Sequence, residues 1–173
     1  KVCRLVKLPG ALQDLLEGKI DSAAAQMQRL GFTDDIEGTL AQVSDSELMS
    51  WRSNEYFVFA RVLAARGKSQ SSLRVLNRME HAAKDFGMNW LLYRTWITQA
   101  TVYYQDQQID TAMDIMANLL EQTYHAVYGA VQIYLSTGEP ARIVLLEAAR
   151  RGIQPEHVTS LLAAFPSQVR SEP

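Results

Sequence analysis

Apolar residues recur every three to four positions along most of the chain, and no stretch alternates as a half-buried strand would. The clearest segment is Ala60–Glu80, an apolar helical half that breaks at Gly67 and continues as an amphipathic half. The same order returns forty residues later, from Ala100 to Glu121. Ala60 falls on Ala100, Val62 on Val102, Ser72 on Ala112, Leu76 on Met116 and Met79 on Leu119. A weaker copy lies forty-nine residues before, with Ala11, Gly18, Ala23, Met27 and Leu30 in the equivalent places. Self-similarity at such a period predicts an all-α fold of antiparallel helix hairpins stacked as a superhelical repeat, an α-α solenoid.

The hairpins are expected over residues 9–30, 45–86, 89–123 and 127–151, with a last helix over 155–165 and a polar linker over 166–173. Pro9 suits a first helical turn, and Gly18, Gly31, Gly67, Gly87, Gly138 and Gly152 mark the stops. Asp21, Asn89 and Asp110 are placed to cap helices, and Ser44 with Glu47 has the spacing of a capping box that opens a helix reaching Arg66. Residues 32–44 show no period and read as a long loop. Leu73, Leu76, Met79, Ala83 and Phe86 line one side of their helix, and Trp90, Tyr93, Trp96, Tyr103 and Tyr104 at helical spacing read as core.

Composition narrows the function. The chain has 173 residues, 47% of them hydrophobic, and a net charge of −2 without a basic cluster, so no phosphate-backbone footprint is present. The lone Cys3 excludes an internal disulfide and fits a reducing, cytoplasmic setting. No apolar run approaches the ~18 residues of a membrane span, and no secretory segment opens the chain. Because the first residue is Lys, the chain is expected to be a piece of a longer protein.

Small and apolar positions at Ala60, Gly67, Ser72, Leu76 and Met79, and again at Ala100, Gln107, Ala112, Met116 and Leu119, resemble the tetratricopeptide pattern. The run ARIVLLEAARRGIQPEHVTSLLAAF (141–165), preceded by YLSTGEP, resembles the closing segment of the helical sensor domain in large ATP-binding LuxR-type transcription regulators, the MalT-like family. EYFVFARVLAARGKSQSSLRVLNRMEHAAKDFG (55–87) and DLLEGKIDSAAAQ (14–26) resemble that family's earlier repeats. The resemblance implies a module that senses an inducer or regulatory protein and sets self-association. ATP and DNA would be bound by other domains of the parent. Neither Gly18-Lys19 nor Gly67-Lys68 has the preceding glycine of a phosphate-binding loop, so no cofactor is expected here.

Catalysis is not expected. His81, His125 and His157 lack a partner at i+4, and no nucleophile has an oriented base beside it in sequence. Arg150 and Arg151 sit in a last helical turn, where cations offset the helix dipole. Binding is the open class, because the first helix of each stacked hairpin lines the inside of the curve. Counting from Ala60 places Asn54, Phe57 and Arg61 there; counting from Ala100 places Arg94, Ile97 and Thr101, with Tyr104 a turn further. Tyr128 and Gln132 join them if Gly138 is the third inter-helix turn. Aromatics beside arginine and asparagine suit a sugar-like or peptide ligand. The alternative is a free-standing adaptor that holds an extended peptide or partner helix.

Overall fold

The computed structural model describes residues 8–50, 52–124 and 129–166, which form eleven helices and no strand. Helix α1 (Leu8–Leu16) pairs with α2 (Ile20–Arg29) across the turn at Gly18. Two short helices, α3 (Ile36–Ala41) and α4 (Asp45–Leu48), precede the longer pairs. These are α5 (Ser53–Ala65) with α6 (Ser69–Asp85), and α7 (Asn89–Gln105) with α8 (Ile109–Thr123). Helix α9 (Gly129–Thr137) then meets α10 (Glu139–Arg150), and α11 (Pro155–Ala163) lies on α10. Packing also runs from pair to pair: α6 lies along α7, α5 touches α1, α2 and α7, and α10 reaches both α7 and α8.

Residues one period apart share environments. Ala60 and Ala100 are both 0% exposed, as are Ser72 and Ala112, Leu76 and Met116, Met79 and Leu119. Small side chains at these crossings let neighbouring backbones approach. Ser72 Oγ, for instance, donates to the Ala60 carbonyl oxygen at 2.8 Å. The turns match as well. Gly67 has φ +74° and Gln107 has φ +61°, and the residue after each donates its backbone N–H five positions back, Lys68 to Leu63 and Gln108 to Tyr103.

Several expectations need correction. The supposed loop over 32–44 contains α3, started by Asp35, whose side chain accepts from Gly38 N at 3.0 Å. Phe32, Ile36, Leu40 and Val43 from this stretch are buried, and the Phe32 ring sits 5.0 Å from Tyr56 and 4.8 Å from Phe59. The Ser44–Glu47 capping box exists but opens only the four-residue α4; the helix that reaches Ala65 begins afresh at Ser53. Asp21, Asn89 and Asp110 lie inside their helices, whose caps are Lys19, Met88 and Gln108. Phe86 and Trp90 flank the Gly87 turn and are 54% and 51% exposed, because the turn carries both side chains past the edge of the core. Of the linker expected over 166–173, all but Pro166 lies outside the described residues.

Candidate functional site

The residues counted onto one face fall on α5, α7 and α9. On α5, Asn54, Phe57 and Arg61 are spaced i, i+3, i+7 and share one side of the helix. Asn54 is exposed, Phe57 is 1% exposed, and Arg61 lies between these extremes. From α7, Arg94 reaches across to this row. Its Nη1 donates to Asn54 Oδ1, and its guanidinium carbon stands 4.3 Å above the centre of the Phe57 ring. The ring's negative face attracts the cation, an effect worth ~0.5–2 kcal/mol depending on how dry the site is. Arg61 Nη2 donates to the Thr137 carbonyl at the end of α9, 3.1 Å away and 76 residues on in the sequence. That carbonyl is at the negative end of a helix, so it is a partial counter-charge and no more.

The electrostatics of the two arginines are unusual for this chain. Arg52, Arg66, Arg74, Arg78, Arg142, Arg150 and Arg151 each have a carboxylate within 4 Å. Among the described residues, Arg61, Arg94 and Arg29 have none, and of these three only Arg29 is exposed. Burial away from water pushes the Arg61 pKa down to about 10, and the neighbouring Arg94 charge adds to the drop. Burial lowers the Arg94 pKa too.

The other counted residues divide. Ile97 is 0% exposed and belongs to the core, while Thr101 is 6% exposed and spends its hydroxyl on the Thr98 carbonyl at 2.7 Å. Tyr104 is half-buried against the core cluster around Ala100, and Gln132 is exposed on α9. Tyr128 lies outside the described residues. Arg61 and Thr101 line a cleft of about 220 Å³ whose walls include Leu15, Leu16, Val102 and Glu139. Glu139, the acid in that wall, is engaged by Arg142 through two bonds of 2.7 and 2.8 Å, which hold its carboxyl below the usual range. The free charge facing the cleft is therefore positive.

Comparison with protein-family models, curated proteins and solved structures gives no match. What the arrangement does chemically must come from its own groups.

A second groove, of about 370 Å³, was not anticipated. It runs between α6, α7 and α8 around Glu80, which accepts from Lys84 Nζ at 2.7 Å, Trp96 Nε1 at 3.0 Å and Gln99 Nε2 at 2.8 Å. Burial alone would raise the Glu80 pKa, but these three donors together hold it lower. Only the Glu80–Lys84 spacing of four residues was readable beforehand. Another cavity, of about 440 Å³ and lined by Glu121, Tyr124, Gln154 and His157, has neither arginine in its lining. Burial lowers the His157 pKa, and its Nε2 lies 3.3 Å from Thr123 Oγ1. His81 Nδ1 is 2.7 Å from the Asn77 carbonyl of its own helix, and His125 lies outside the described residues. Among the described residues, no group of three His, Cys, Asp or Glu side chains is placed to hold a metal. No described helix is long and apolar enough to cross a membrane.

Proposed function

We propose that this chain is the effector-sensing and interaction module of a LuxR-type transcription regulator: a cytoplasmic, tetratricopeptide-like repeat without catalytic chemistry. ATP and DNA are handled by other parts of the parent protein. The observation that carries the reading is the Arg61–Thr137 bond, which ties the α5 pair to the end of α9 across the cleft. An effector that draws Arg61 toward itself competes with that carbonyl and alters how the last helix pair sits on the others. Two arrangements separated by a differential affinity of ~1–3 kcal/mol are enough to switch self-association. The apolar lining from Leu15, Leu16 and Val102 favours a second reading, a peptide adaptor that seats one apolar anchor.

Hydrogen exchange and light scattering together test the proposal. A bound small-molecule or protein effector is expected to change amide exchange in α9 and α10 and to shift the monomer–oligomer balance. A ligand that protects α5 and α7 yet leaves α9, α10 and association unchanged returns the chain to the adaptor class.

A further inference from the structure

Every arginine of α6, α10 and the segment before α5 that lies against the body of the protein meets a carboxylate. Arg52, with 17% of its side chain exposed, meets two. Arg61 and Arg94, together on the α5–α7 face, do not; Arg29, the other described arginine without a carboxylate, is exposed on α2. Arg61 and Arg94 each spend one hydrogen bond, on a neutral oxygen, out of five guanidinium donors. Taking a cation out of water without an anionic partner is unfavourable, so an unneutralised pair marks a place where a negative charge is missing. The surroundings agree: Glu139 is occupied by Arg142, the centre of the Phe57 ring lies 4.3 Å from the carbon of one guanidinium, and the Thr137 carbonyl holds the other. Two positioned forks with free N–H groups match the paired oxygens of a carboxylate or phosphate.

We propose that Arg61 and Arg94 form a binding site for an anionic ligand, a polycarboxylate or phosphoryl compound, with Asn54 and Phe57 holding Arg94 in place. The proposal rests on the sensing role and names the chemistry of the effector. Binding would replace the bond between Arg61 and Thr137 or add to it, which gives the anion direct purchase on α9.

The test is thermal unfolding of the 173-residue chain at constant ionic strength with pyrophosphate, with tricarballylate, and with chloride alone as reference. One of the two polyanions is expected to raise Tm by about 3 °C at roughly ten times its Kd. R94Q, which leaves the Thr137 bond intact, and R61Q, which keeps an amide donor for that carbonyl, should each lose most of the shift; R94K should keep part of it. A response to pyrophosphate alone assigns a phosphoryl ligand, and a response to tricarballylate alone a carboxylate. No shift with either, or an equal shift in the R61Q/R94Q double variant, overturns the site. A neutral ligand or protein that stabilises wild type and double variant alike would also overturn it, and would leave the sensing role standing. An anion bound through both arginines without effect on α9 or association keeps the site and removes the sensing role.

Discussion

A charge buried against protein needs oxygens around it, and individual residues here receive them very unequally. Arg78 shows full provision: its guanidinium donates to the carbonyls of Leu40 and Val43 and to Asp45, and so pins the segment containing α3 and α4 onto α6. Glu80 is the acidic counterpart, with three donors converging on one carboxylate. Its folded-state pKa lies below the ordinary 4.5. The contribution to stability is therefore complete above that value and disappears as pH falls through the lower folded value. E80Q should accordingly lower Tm at neutral pH, with the gap to wild type closing in acid; a gap that stays constant to pH ~3 would show that hydrogen bonding, not charge, holds the network. The register count from Ala60 and Ala100 made Arg61 and Arg94 legible as a pair of positions. It could not show that both lack carboxylates, because the potential partners come from elements distant in sequence.

At the scale of helices and turns, local signals worked where one residue controls the backbone and failed where packing does. Glycine reaches positive φ without strain, and Gly18, Gly31, Gly67, Gly87, Gly138 and Gly152 all adopt it where stops were expected. Asp35 capping α3 was also visible in principle, with Ile36 and Leu40 at i, i+4 behind it. The six-residue helix was too short to stand out as a period. Gln107 occupies the left-handed position that Gly67 takes one repeat earlier, at a strain of ~1–2 kcal/mol. A Cβ at Gly67 would meet nothing within 4 Å, so backbone strain alone separates the two sites. Urea unfolding should show G67A less stable by ~1 kcal/mol and Q107G more stable by a smaller amount, since glycine also loosens the unfolded chain. If both changes are neutral, the two turns are not equivalent.

At the scale of the molecule, the helices bury two apolar clusters that share α7, one around Ala60 and Leu76, the other around Ala100 and Met116. Contact also runs from the first helix pair to the last, since Leu16 of α1 lies against Gly138 at the α9–α10 turn. Ala100 has no exposed surface and belongs to the second cluster. A100L should therefore destabilise by ~1–3 kcal/mol in chemical unfolding, and the equivalent A60L by a similar amount. Unequal or negligible losses would mean that the two alanines do not mark the same crossing.

The sequence alone determined the helical class and the glycine positions at which helices stop. Those properties depend on periodicity and on single residues that fix a turn, and both are local. Tertiary structure alone decided that Phe32 and its neighbours complete the core, that Phe86 and Trp90 remain in solvent, and that Arg61 reaches Thr137 while Glu139 is taken by Arg142. Each of these depends on which groups from distant segments arrive within a few ångströms, and spacing along the chain carries no record of that.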